Sequence, residues 1–102
     1  MSRPLSPWAP ALAQNFTYWQ DPGHGWLEVP VALLRELQIE GRISSYSYRS
    51  KDGLTAYLEE DCDAAQFVHA MKLQRGITVV TDEQHRERIF IRQLPPFTAR
   101  TR

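Results

Sequence analysis

Residues 54–80 read LTAYLEEDCDAAQFVHAMKLQRGITVV. Leu54, Ala56 and Leu58 alternate with Thr55, Tyr57 and Glu59, the period of a strand with one buried face. From residue 62 the period changes. Ala64, Phe67, Val68 and Met71 fall on one stripe of a helix expected over 62–74. Gly76 stands where a left-handed residue closes a helix, and ITVV, 77–80, is a short apolar strand. Between strand and helix, four carboxylates (Glu59, Glu60, Asp61, Asp63) surround Cys62, the one cysteine of the chain. A helix start accounts for most of them. Asp61 is placed as N-cap, worth roughly 1 kcal/mol. Asp63 falls in the first turn, where the helix dipole favours negative charge by roughly 0.3–1 kcal/mol.

Working outward, SKDG at 50–53 separates this strand from ISSYSYR, 43–49. An Asp-Gly pair between β-forming runs signals a hairpin, so the two runs are expected to pair, with Tyr46 and Tyr48 on one face. PVALLRELQI, 30–39, carries Val31, Leu34 and Leu37 at helical spacing, with Leu33 widening the stripe. Pro30 suits the first helical position and Gly41 the end. NFTYWQ, 15–20, and WLEV, 26–29, are dense in β-formers and flank DPGHG, a turn by its proline and two glycines. After residue 80, TDEQHRER reads as a mobile polar loop and IFI, 89–91, as a last short strand or a docking segment. Prolines 4, 7 and 10 make the N-terminus an extended tail, where Trp8 either folds back or anchors a partner. The expectation is a single α+β domain over 14–95, between tails at 1–13 and 96–102. Its order is β-β-α-β-β-α-β, a largely antiparallel sheet with two helices on one face.

The charge balance narrows the function classes. Twelve basic and twelve acidic residues in 102 give zero net charge, which argues against a broad electrostatic footprint for nucleic acid. The distribution is uneven, however: residues 86–102 hold five arginines against Glu87 alone. A lone cysteine forms no internal disulfide. No apolar run approaches the roughly 18 residues of a membrane span, and MSRPLSPWAPALAQ does not resemble a secretory signal. A cytoplasmic protein without membrane contact is expected.

The stretches that could carry chemistry are few. A thiolate at a helix N-terminus is stabilised by the dipole, but neighbouring carboxylates oppose that and no base stands near Cys62 in sequence. Cys62 and His69 share a helix face roughly 10 Å apart along the axis, too far to ligate one ion. His24, in GHGW at 23–26, lies in an expected turn, and no catalytic partner accompanies it at a recognisable spacing. Phosphate-binding glycine loops are absent from the sequence. No catalytic residue, metal ligand or cofactor is therefore assigned. Tyr46, Tyr48 and Tyr57 could form an aromatic platform, and Arg49 and Lys51 lie beside it in sequence.

Taken together, DPGHGWLEVP, ISSYSY, YLEEDCDA and IRQLP resemble a family of small uncharacterised proteins encoded by bacteriophages, plasmids and other mobile elements of bacteria. The likeness covers about residues 19–95. The resemblance implies a context rather than a mechanism: binding to, and modulation of, a host protein complex, such as a restriction or CRISPR system. The surface expected for a protein partner is His24 and Trp26 with Glu59, Glu60, Asp61 and Asp63, and secondarily Tyr46 and Tyr48. This expectation requires the first hairpin and the start of the second helix to lie at the same end of the sheet. The alternative is a nucleic-acid-binding accessory protein using the tyrosines with Arg49, Lys51, Arg86, Arg88 and Arg92. A third reading is a small metal-dependent enzyme at the end holding His24 and Asp61–Asp63. The oligomeric state is expected to be monomer or homodimer.

Overall fold

The computed structural model describes residues 12–98. Along the chain it forms β1 (Leu12–Gln20), β2 (Gly25–Pro30), α1 (Val31–Glu36), β3 (Tyr48–Arg49), β4 (Thr55–Glu59), α2 (Asp63–Arg75) and β5 (Ile77–His85). Short 3-10 turns lie at Glu40–Arg42, between α1 and β3, and at Phe90–Gln93, after β5. The fold is α+β, with a mixed five-stranded sheet ordered β3-β4-β2-β1-β5. No helix among the described residues is long and apolar enough to cross a membrane.

The sheet is not as antiparallel as its hairpins suggest. β1–β2, β2–β4 and β3–β4 pair antiparallel, but β5 lies parallel to β1, from Leu12↔Ile77 to Gln20↔His85. The cause lies in residues 54–80. A helix between two strands returns the chain to the end where the first strand began. β5 therefore runs in the direction of β4, which is also that of β1, and α2 carries it across β2 and β1 to the far edge.

Both helices lie on one face of the sheet. Phe16, Leu27, Val29, Ala56 and Leu58 meet Val31, Leu34 and Leu37 of the first helical region and Ala64, Phe67, Ala70 and Met71 of α2. The Phe16 and Phe67 rings pack edge to face at 5.1 Å. Ala64, Phe67 and Met71 are buried as their spacing requires, whereas Val68 is 40% exposed and Ala70 takes its place. Gly76 closes α2 at φ 66°. Gly41 has no such role. α1 stops at Glu36 and reverses at Gln38, which takes φ 62°. Leu37 and Ile39 are both core residues, and a continuing helix would point them about 200° apart. Turning at Gln38 buries both. Pro30 is the extended residue before α1 rather than its first helical one.

Three segments depart from their expected form. Of residues 43–49, only Tyr48 and Arg49 pair with β4. Asp63, 2% exposed, explains why. Its Oδ2 accepts from the Ser44 amide (3.0 Å), the Ser44 hydroxyl (2.6 Å) and the Ser47 hydroxyl (2.5 Å), and this holds 44–47 in a turn. The Ser47 hydroxyl oxygen in turn accepts from the Glu59 amide at 2.9 Å. The polar stretch 81–85 is strand rather than loop, because β1 is long enough to template it.

The C-terminal region forms the second wall of the core. Ile89 and Ile91 bury against Trp26 and Tyr57 on the face opposite the helices, with Trp19, Tyr48 and Leu94 packed around them. IFI thus docks, as a 3-10 turn and not as a strand. Phe97, expected in the tail, is 3% exposed and belongs to the main core. Its amide donates to the Ser47 carbonyl at 2.8 Å, and the Arg49 guanidinium stacks over its ring at 4.2 Å. Residues 1–11 and 99–102, Trp8 included, lie outside the described residues.

Candidate functional site

The first hairpin turn is built by one carboxylate. Asp21 Oδ1 accepts from the amides of Gly23 and His24, each at 2.9 Å, and the Asp21 amide donates to the His24 carbonyl at 3.0 Å. Neither Gly23 nor Gly25 takes a positive φ. Gly25 is needed for space instead: a Cβ there would stand 2.1 Å from the Tyr18 hydroxyl oxygen. The Tyr18 hydroxyl donates to Glu60 at 2.9 Å. Burial, reinforced by that bond to Glu60, pushes the Tyr18 phenol well above its ordinary value.

Asp21 also binds the distant 3-10 turn through Arg92, whose Nε and Nη2 both donate to it. The Arg92 guanidinium lies 5.1 Å from the centre of the Trp26 ring. The hydrogen bond from Arg92 is the main cause that holds the Asp21 carboxyl well below the usual carboxylate range, aided by the His24 and Gly23 amides. A carboxyl with a depressed folded value stabilises the fold fully above its unfolded value, about 3.9. That contribution is lost as pH falls toward the folded value. Asp21→Asn is therefore expected to flatten the loss of stability between about pH 4 and pH 2, measured by urea unfolding at a series of pH values.

At the other side of the same end, the helix start is capped from the strand. Glu59 accepts the Asp61 amide at 2.9 Å and the Cys62 amide at 3.1 Å. Asp61, expected to be the N-cap, is exposed; the residue at that position is Cys62, which makes no side-chain cap bond. Trp26 pairs across the sheet with Glu59, so the turn holding His24 and the start of α2 lie side by side. The condition set by the sequence for a joint surface is met.

Together these elements enclose a groove of about 410 Å³. His24, Trp26, Tyr46, Tyr48, Glu59 and Asp61, all singled out in the sequence, line it. Trp26, 2% exposed, is the floor, with the Tyr48 ring edge-on at 6.1 Å and the His24 ring at 6.0 Å. Tyr46 stands out at 74% exposure on the turn that Asp63 holds. Ser45, Cys62 and Arg92 complete the lining. Arg92 was reachable from sequence only as part of a basic tail; its ion pair with Asp21 spans 71 positions. Two expected residues are elsewhere. Glu60 turns toward Tyr18 on the helix side of the sheet, and Asp63 is an internal anchor.

Tyr46, Tyr48 and Tyr57 do not form an open platform. Tyr57 is 8% exposed under the Phe90 ring, and Tyr48 is half-buried beside it. The basic residues are dispersed as well. Arg49 is held by Phe97 and Glu40, and Arg92 by Asp21. Lys51 lies at the turn before β4, while Arg86 and Arg88 follow β5 at the opposite edge of the sheet. Among the described residues no three His, Cys, Asp or Glu side chains are grouped to hold a metal ion, and no hydrogen bond joins Cys62 to His24. With the Arg92 charge balanced by Asp21, Glu59 and Asp61 leave the groove acidic above an aromatic floor. Trp26 is covered by Arg92 and 2% exposed, so the rings open to a cationic side chain are Tyr46 and, in part, Tyr48, beside the two carboxylates. Comparison of the chain with protein-family models, curated proteins and solved structures found no match.

Proposed function

We propose that the protein is a small non-enzymatic binding protein of a mobile genetic element that modulates or inhibits a host protein complex. Its docking surface is the groove between His24 and Asp61. The observation that carries this reading is convergence. The GHGW turn, the SYSY turn, the acidic helix start and Arg92 of the last turn each supply part of one lining. The exposed Tyr46 is a suitable anchor, since tyrosine is enriched among residues that dominate binding energy. The acidic rim suits a lysine or arginine of the partner.

The test is capture from nuclease-treated bacterial lysate with the tagged protein and with Tyr46→Ala and Asp61→Lys. Both positions are exposed, so both variants are expected to keep wild-type stability within about 0.5 kcal/mol. Each is expected to weaken capture of a defined partner by at least about tenfold. Equal capture by wild type and variants would remove the groove from the account. Protein lost on nuclease treatment, with nucleic acid recovered before it, would favour the accessory-protein reading instead.

A further inference from the structure

The two edges of the sheet are finished differently. β3 is two residues long and the C-terminal segment closes it: the Arg49 amide donates to the Pro95 carbonyl at 3.0 Å and Tyr48 bridges Pro96. β5 is nine residues long, exposed from Thr81 onward, and has no strand beyond it among the described residues. The Arg86 amide donates to the Gln20 carbonyl at 2.9 Å. Amides alternate sides along a strand, so those of Asp82 and Gln84 also face β1. Those of Thr81, Glu83 and His85 face outward and are unpaired within the sheet.

A long open edge is a hazard that folded proteins commonly guard with like charges or proline. β5 has a different pattern. About Gln84, the sequence DEQHR places Asp82 and Glu83 on one side and His85 and Arg86 at the same spacings on the other. An identical strand laid antiparallel about Gln84 brings Asp82 opposite Arg86 of the second copy and Glu83 opposite its His85. Both contacts occur twice by symmetry. The backbone phase agrees with this register. Glu83 and His85, whose amides face outward, fall on the hydrogen-bonded positions. Gln84, Asp82 and Arg86 fall on the non-hydrogen-bonded positions, where side chains approach most closely. Asp82 shares the sheet face of Trp19, and the Arg86 guanidinium lies 5.2 Å from the Trp19 ring centre while its Nη1 donates to the His85 carbonyl at 2.8 Å.

We propose that the protein forms a homodimer by antiparallel pairing of its β5 edges about Gln84, joining two sheets into one. The register is tested by crosslinking in the full chain with Cys62→Ser. Gln84→Cys places two thiols across the axis at a Cα separation of about 4.5 Å, within reach of a disulfide. Asp82→Cys places them roughly 14 Å apart. Mild oxidation is expected to link the first variant and not the second. Equal linking of both, or of neither, would overturn the register. Sedimentation tests the charges. The wild type is expected to be dimeric, Asp82→Arg to dissociate at roughly tenfold higher concentration, and Asp82→Arg with Arg86→Asp to recover wild-type association. A wild type that stays monomeric at all concentrations, or a double variant no better than the single one, would overturn the dimer.

Discussion

Asp63→Ala is expected to lower the free energy of unfolding by about 3 kcal/mol. Asp63 sits at 2% exposure and Ser47 at 0%. Removing the carboxylate leaves two hydroxyls and the Ser44 amide without their acceptor, and buried polar groups left unpaired cost about 1–3 kcal/mol each. Partial access of water to Ser44 holds the total near the lower end. In a domain of this size, that loss lowers the melting temperature by more than about 10 °C. Asp63→Asn keeps one acceptor oxygen and is expected to cost about half as much. Asp61→Ala, two residues earlier and exposed, is expected to stay within about 0.5 kcal/mol of wild type. Urea unfolding of the three variants checks this. Equal effects at 61 and 63 would contradict the division of labour between a groove carboxylate and a buried one.

Phe97→Ala is expected to cost about 3–5 kcal/mol, the usual range for removing a buried ring. Phe97 fills part of the main core and carries the Arg49 guanidinium on its face. Arg49 Nε is buried with no hydrogen-bond partner, so the arginine relies on that ring, on Glu40 at 3.8 Å and on a bond from its Nη2 to the Phe97 carbonyl at 3.4 Å. The effect reaches the groove. The chain from Ile89 to Phe97 holds Arg92 over Trp26 and bridges Tyr48 through Pro96. The variant is therefore expected to lose near-UV circular dichroism of the tryptophans along with stability. A residue in a free tail would change neither.

The parts legible in the sequence are those set by local chemistry. The two hairpins, the α2 stripe and Gly76 follow from turn residues and periodicity over a few positions. The gathering of GHGW and YLEEDC at one end follows from the same hairpins, since β2 lies beside β4. What was not legible depends on contacts far apart in the chain. Asp63 reads as an ordinary first-turn acid until Ser44 and Ser47 are placed against it. TDEQH reads as loop because it lacks apolar residues, and only the length of β1 makes it strand. Phe97 follows two prolines and precedes polar residues, so nothing local marks it as core. The parallel β1–β5 pairing was present in the strand-helix-strand order of 54–80, a signal that the Asp-Gly hairpin beside it obscured.

Hydrogen exchange on the complex with a captured partner, compared with the free protein, tests the proposed docking surface most directly. Slower exchange is predicted in three separate stretches at once, 23–26, 44–48 and 59–62, with 81–88 unchanged by the partner. Protection confined to 81–88, or spread over the exposed face of α2 while those three stretches exchange as in the free protein, would contradict the assignment of the groove as the binding site.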